Sequence, residues 1–225
     1  LAETRAQLRQ LGAATDLAAL AQAEAAAQKA YQQQAGALSK QRRSAAARLD
    51  VAVSAAMQQL SMQGGRFEAA LIAGNPAVFG LEDIEFRVSP HAGQGVKPLA
   101  KTASGGELSR IGLALQTVLS GTSGAPTLLF DEVDSGIGGG VAEIVGRLLA
   151  ELGSTRQVLC VTHLPQVAAR AVRHYQVSKA NRAGKAVSSV AVLGHGERVE
   201  EIARMLGGVK LTDATRAHAE EMLTS

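Results

Sequence analysis

The sequence predicts an α/β fold with a parallel sheet, preceded by one long helix. First, residues 1–62 are rich in Ala, Gln, Leu and Arg and contain no Pro, whereas Gly and Pro recur from residue 63 onward. Second, two short apolar runs, residues 127–130 and 157–162, lead into polar side chains, a pattern typical of buried parallel strands. Third, helical stretches separate these runs, and strands that alternate with helices indicate an α/β sheet.

Residues 1–62 form the first predicted domain, a coiled-coil arm. Ala, Leu, Gln and Arg lose little rotamer freedom in a helix, and Gly12 and Gly36 are the points where this helix could break. Apolar and small residues recur at steps of three, four or seven, the spacing of a coiled-coil seam that needs a partner helix. The stripe comprises Leu17, Leu20, Ala27, Tyr31, Leu38, Ala45, Leu49, Ala52 and Ala56. The same period also fits a helix of an ordinary bundle.

Residues 63–225 form the second predicted domain. Strands are expected at 67–73 and 84–88, with turn residues at 74–76 and at Gly80 between them. The elements expected after these strands are a loop at 90–98, a helix at 104–119, the strand 127–130, a helix at 141–152, the strand 157–162, a helix at 165–172, a strand pair at 175–178 and 187–193, and helices at 199–206 and 213–223.

Composition excludes some classes of protein. No apolar run reaches the roughly 18 residues that a membrane-crossing helix needs, and a single cysteine cannot form an internal disulfide. A soluble cytoplasmic protein is therefore expected. The chain begins at Leu1 without a signal peptide, so we expect a truncation point there. The net charge is +3, with the basic excess in residues 1–62; this favours loose contact with a polyanion such as DNA, or simply a solvated helix face.

Ser104-Gly105-Gly106-Glu107 has the spacing of a capping box at the start of a helix. Glycine in the first turn costs about 1 kcal/mol relative to Ala, so stability alone does not explain two of them. Without side chains they allow a ligand to approach the backbone, where the helix dipole and free N–H groups favour an anion. A plain helix cap is the alternative.

Residues 127–132 deliver two adjacent acids, Asp131 and Glu132, at the end of an apolar strand. This is the Walker B arrangement, in which Asp131 would hold Mg²⁺ and Glu132 would orient the attacking water. A strand that merely ends in solvated acids gives the same local pattern. The helix that precedes the run favours the functional interpretation, because a parallel strand returns to the sheet after such a helix.

Two further motifs follow the same logic. The stretch 134–140 contains five residues with little or no side chain, beginning with Ser135 and Gly136, and suits a backbone that lies flat against another surface. His163 follows the apolar run 157–162, so a parallel sheet would place it at the same edge as Asp131 and Glu132. A loop and a structural histidine are the simpler alternatives.

Residues 95–102 nearly match a phosphate loop, with Ala100 where Gly is expected before Lys101. The match is a coincidence in our interpretation, because Pro98 lies inside the would-be loop and no strand–loop–helix setting surrounds it.

Taken in order, Ala103 to Glu107, residues 128–132, Ser135-Gly136 and Thr162-His163 resemble the C-terminal half of an ABC-type ATPase head. They correspond to its signature motif, Walker B motif, D-loop and switch histidine. The stretches 103–110, 130–137, 161–167 and 203–208 are similar to the RecN family of SMC-like bacterial DNA repair proteins. The resemblance implies an ABC-type P-loop NTPase head whose C-terminal lobe follows a returning coiled-coil arm.

The resemblance also implies the partners and the site. Two heads would sandwich ATP and Mg²⁺, with the Walker A loop in an N-terminal lobe outside this sequence, and DNA would be engaged in double-strand-break repair at the nucleoid. Glu132 and His163 would be catalytic and Asp131 would hold the metal. Nucleotide contacts would come from Ala103, Ser104, Gly105, Gly106, Glu107, Ser135 and Gly136. This part alone should lack ATPase activity, which the whole protein would have.

Two alternatives remain. An ABC transporter nucleotide-binding domain has the same motifs, although its signature normally follows a compact lobe and not a 60-residue helix. A non-catalytic coiled-coil scaffold with a decayed ATPase fold is the other, and the presence of Glu132 and His163 argues against it.

Overall fold

The computed structural model describes residues 1–14, 16–101, 104–121, 124–182, 185–207 and 211–224. The chain divides into two compact units, the first comprising Leu1–Arg48 and Ala69–Glu85 and the second Leu49–Glu68 and Phe86–Ser225. The domain boundary expected between residues 62 and 63 rests on composition, a different criterion, and stays a prediction.

The N-terminal segment is helical, as predicted. Helix α1 spans Ala2–Ala14 and helix α2 spans Leu17–Gln59. The Asp16 carboxylate caps α2 by accepting a hydrogen bond from the backbone N–H of Ala19 at 3.1 Å. The expected break near Gly12 thus falls two to five residues later, whereas α2 runs through Gly36 without interruption.

In the first unit, α2 holds the far end of a β-hairpin. Strands β1 and β2 of this hairpin span Arg66–Ala77 and Gly80–Ser89. The Tyr31 hydroxyl lies 3.0 Å from the carbonyl oxygens of Ala77 and Gly80, and it accepts a hydrogen bond from the Ala77 N–H at 3.0 Å. The expected turn at residues 74–76 is wrong, because the strand continues to Ala77 and the chain reverses at residues 78–79.

Tyr31→Phe should loosen this hairpin end. The variant keeps the ring and removes the hydroxyl, so the Ala77 N–H loses its acceptor, at a cost of about 1 kcal/mol for a partly exposed group. Native-state hydrogen exchange should show a faster Ala77 amide. Tyr175→Phe is the matched control, because Tyr175 is exposed on another strand, and it should leave the Ala77 amide unchanged. Equal exchange in both variants would contradict the assigned role of Tyr31.

In the second unit, the end of α2 packs against the near end of the hairpin. Val53 and Met57 of α2 and Leu60 just after it are fully buried, and the Ser54 hydroxyl accepts from the Phe67 N–H at 2.9 Å. The Phe67 and Phe86 rings lie 5.3 Å apart. A short strand, β3 (Lys97–Pro98), pairs antiparallel with β2.

The central part of the second unit confirms the predicted α/β class. Its elements are α3 (Gly105–Val118), β4 (Thr127–Phe130), α4 (Gly139–Gly153), β5 (Gln157–Cys160) and α5 (Pro165–Ala169). Strands β4 and β5 pair in parallel, with Thr127 opposite Gln157 and Phe130 opposite Cys160. Because both strands run the same way, their carboxyl ends share one edge, which is where the predicted polar residues lie.

The last elements form a ribbon and a helix pair. They are β6 (Tyr175–Arg182), β7 (Lys185–Val192), α6 (His195–Gly207) and α7 (Asp213–Thr224). The two strands are antiparallel, and the helices pack around Ile202, Ala203 and Ala219. Within the described residues, no helix is both long and apolar enough to cross a membrane.

Candidate functional site

Helix α3 begins where the sequence predicts. Ser104 is its N-cap, with an extended backbone and a side-chain oxygen that accepts from the Glu107 N–H at 3.4 Å. The Glu107 carboxylate lies 3.1 Å from Nε2 of His91, in the loop after β2. The predicted nucleotide contact Ala103 lies outside the described residues. Ser104 and Gly105 are exposed, so this helix end is open to a ligand.

The first two glycines of α3 lie against the turn after β4, and packing requires the second of them, Gly106. A Cβ on Gly105 would lie 2.5 Å from Oε2 of Glu132, and one on Gly106 would lie 2.9 Å from Cβ of Ser135 and 3.2 Å from the Glu132 carbonyl oxygen. The turn after β4 thus approaches the start of α3 too closely for side chains. Sequence reasoning assigned the glycines to ligand approach and missed this second reason.

Helix α3 holds the turn after β4 through two hydrogen bonds. The Ser109 hydroxyl donates to the Asp131 carbonyl at 2.6 Å, and the Arg110 guanidinium donates to the Ser135 carbonyl at 2.7 Å. The turn itself is tight: the Ser135 N–H donates to the Glu132 carbonyl at 3.0 Å, and Glu132 has a positive φ of 57°. Residues other than glycine rarely adopt a positive φ unless surrounding contacts hold the backbone in place.

Arg110 is a buried charged residue, with only 6% of its surface exposed. Burial lowers the pKa of its guanidinium, and the nearby Glu107 carboxylate opposes this shift. Arginine nevertheless stays protonated at neutral pH. Arg110 is therefore a fixed positive charge between helix α3 and the turn that contains Ser135.

Asp131 and Glu132 are both exposed at the carboxyl end of β4, as predicted. Within the described residues no cluster of three His, Cys, Asp or Glu side chains could hold a metal by itself. Mg²⁺ usually keeps several waters and binds through one or two carboxylates together with substrate phosphates. The pair of adjacent carboxylates fits that ion.

His163 lies at the predicted sheet edge, and its contacts come from a residue that sequence reasoning did not assign. Asp134 is buried, and its Oδ2 accepts from the Thr162 hydroxyl at 2.5 Å and from the His163 N–H at 2.9 Å. Nδ1 of His163 lies 3.2 Å from the same oxygen. The sequence signal for Asp134 was a third acid two residues after the pair Asp131 and Glu132.

Cys160, at the end of β5, is partly buried beside these acids. Burial raises the pKa of its thiol to about 12, and the negative charges of Asp134 and Asp131 add to the shift. Thiols with raised pKa values are poor nucleophiles, because the thiolate is the reactive form. This environment is typical of a cysteine that serves in packing.

The structure joins most of the predicted residues around one turn. Gly105 and Gly106 contact the Glu132–Ser135 stretch, and His163 contacts Asp134 in the same turn. Gly136 continues the turn with a φ of 72°. Residues 97–101 form the short strand β3 and a single 3-10 turn, not the strand–loop–helix setting of a phosphate loop.

No protein-family model matches the chain. The DNA repair protein RecN of Xylella fastidiosa strain 9a5c is 45% identical over 196 residues, which are 86% of this chain and 35% of that protein. RecN of Deinococcus radiodurans is 49% identical over 170 residues, 75% of this chain and 30% of that protein. The Smc head domain with a coiled coil and joint from Pyrococcus yayanosii aligns with a TM-score of 0.49 and 25% identity, over 68% of this chain and 28% of that one.

The chain spans about a third of the length of the curated relatives that it matches. The identity is spread over most of this chain, and the resemblance noted in its motifs is thereby confirmed. Over most of its length, this chain is a homologue of the RecN DNA repair proteins.

Proposed function

We propose that this chain is the C-terminal part of a RecN-type DNA repair ATPase and supplies half of a composite ATP site. The observation that carries the proposal is the joint between α3 and the turn after β4. There the open helix end at Ser104, the acids Asp131 and Glu132, and the Ser135 turn lie together. The RecN relatives support the DNA repair assignment.

Each side chain has a part in phosphoryl transfer that its position supports. Asp131 would hold Mg²⁺, which neutralises charge on the phosphates when bound. Glu132 would accept a proton from the attacking water, and Nε2 of His163 would accept a hydrogen bond from the same water at the neighbouring strand end. The N–H groups at the start of α3 favour an anion, which here would be the γ-phosphate of an ATP held by a second head.

The cradle for that phosphate would come from elsewhere. Residues 95–101 do not form a phosphate loop, so we infer that a Walker A loop in an N-terminal lobe completes each head. The assembly would then contain two heads, ATP, Mg²⁺ and DNA, in the cytoplasm at the nucleoid. Leu129 on β4, Leu159 on β5 and Val161 just after β5 are exposed apolar residues, which agrees with cover by another part of the protein.

The test is complementation. The chain is purified alone and together with the remaining N-terminal part of the Xylella fastidiosa relative. We expect negligible ATP turnover from the chain alone and DNA-responsive turnover from the pair. As a control, the same pair with the Walker A lysine of the N-terminal part replaced should be inactive. Robust turnover from the chain alone would contradict the composite site and would assign a phosphate role to Lys101.

A further inference from the structure

Asp134 is a buried carboxylate with an unusual set of partners. Its side chain is 2% exposed, and three groups converge on one of its oxygens, Oδ2. They are the Thr162 hydroxyl, the His163 backbone N–H and Nδ1 of the His163 imidazole. A buried charge is costly unless it is paired and hydrogen-bonded, so the site must hold these donors in place.

The three partners lie on the segment that follows β5, whereas Asp134 lies in the turn that follows β4. Because β4 and β5 are parallel neighbours, Asp134 ties the two carboxyl ends together. The Thr162 hydroxyl oxygen in turn accepts from the Leu164 N–H at 3.1 Å. The backbone on both sides of His163 is thereby held in place.

The imidazole is held from one side only. The His163 side chain is 70% exposed, so the ring reaches solvent while Nδ1 faces the Asp134 carboxylate at 3.2 Å. A carboxylate can only accept hydrogen bonds when it is ionised. A proton on Nδ1 therefore places positive charge beside Oδ2, whereas a lone pair on Nδ1 would face the lone pairs of Oδ2 and be repelled.

We infer that Asp134 is a positioning residue for His163: it keeps the imidazole proton on Nδ1 and so directs the Nε2 lone pair toward the attacking water. The expected effect of this tautomer on catalysis rests on the proposed function. The tautomer itself does not. An acid that holds the inner nitrogen of a catalytic histidine in this way fixes both tautomer and orientation.

The first experiment measures the tautomer directly. The ¹⁵N-labelled chain is studied by long-range ¹⁵N–¹H correlation at a pH where His163 is neutral, and His163→Gln identifies its signals among the five histidines. We expect a protonated Nδ1 and an unprotonated Nε2. In Asp134→Ala the proton should move toward Nε2. A wild-type His163 protonated on Nε2, or an unchanged tautomer in Asp134→Ala, would overturn the inference.

Two controls separate positioning from a merely structural role. Thr162→Val removes one hydrogen bond to Oδ2 but leaves Nδ1 facing the carboxylate, so the tautomer should stay as in the wild type. Asp83→Ala removes an exposed carboxylate and should also have no effect. If Asp134→Ala does not fold, the wild-type tautomer decides alone.

The second experiment measures ATP turnover of the complemented protein. Asp134→Asn keeps an acceptor oxygen for Thr162 and the backbone but loses the charge that orients the ring. We expect kcat to fall on the order of 10- to 100-fold, as for other outer partners of functional histidines, with KM for ATP little changed. Wild-type turnover in Asp134→Asn would overturn the positioning role. Loss of turnover in the wild-type pair itself would instead count against the proposed function, and the tautomer would still decide the role of Asp134.

Discussion

Glu132→Gln in the complemented protein should still bind ATP but hydrolyse it on the order of 10²- to 10⁴-fold more slowly, the usual contribution of a general base. Gln keeps the shape of the side chain and loses the ability to accept the proton of the attacking water. Because ATP then persists between the heads, dimers should accumulate. Turnover is measured by phosphate release and dimers by size-exclusion chromatography with ATP and Mg²⁺.

Glu143→Gln is the matched control. Glu143 is an exposed acid on α4 in the same unit, so the same chemical change there should leave turnover unchanged. Normal hydrolysis in Glu132→Gln would remove Glu132 from its assigned role. A fall of equal size in the control would show that the loss is not specific to the turn after β4.

Gly106→Ala should both destabilise the chain and abolish ATP turnover of the complemented protein. The added Cβ would lie 2.9 Å from Cβ of Ser135 and 3.2 Å from the Glu132 carbonyl oxygen. The turn that carries Glu132 must then move away from α3, and overpacking of this kind costs about 1–3 kcal/mol. Urea unfolding of the chain measures the first effect, and phosphate release by the complemented protein measures the second.

Gly112→Ala gives the opposite expectation in the same helix. Nothing lies within 4 Å of a Cβ at Gly112, and Ala is favoured over Gly in a helix interior by about 1 kcal/mol. This variant should therefore be more stable and should keep its turnover. If both variants changed stability in the same direction, the close packing at Gly106 would not be the cause.

Where local pattern and long-range contact agree, sequence reasoning located the elements. Strand β4 occupies the predicted residues 127–130. Its position could be predicted because a short apolar run that leads into polar residues is recognisable from the local sequence alone. The turn expected at residues 74–76 was wrong for a tertiary reason. Pro76 and its neighbours are turn formers locally, but the Tyr31 hydroxyl, 46 residues away from Ala77, holds that end of the strand.

The candidate site was predictable to a similar degree. The residues that face solvent, such as Asp131 and His163, follow from their places at strand ends. The positions of the buried residues could not be predicted in this way. Asp134 looked like part of a loop, because its burial depends on the approach of Thr162, which follows the neighbouring strand β5. The packing of Gly106 against Ser135 was hidden for the same reason, since it joins residues 29 positions apart.

The environment of Cys160 has a practical consequence for site-specific labelling of this chain. Cys160 is the one cysteine of the chain, and with a pKa of about 12 its thiol stays protonated at neutral pH. Thiol-reactive labels require the thiolate, so they should react with Cys160 much more slowly than with an exposed cysteine. A cysteine introduced at an exposed position, such as Ser188 on β7, would then carry a fluorophore or spin label alone, without prior removal of the native residue.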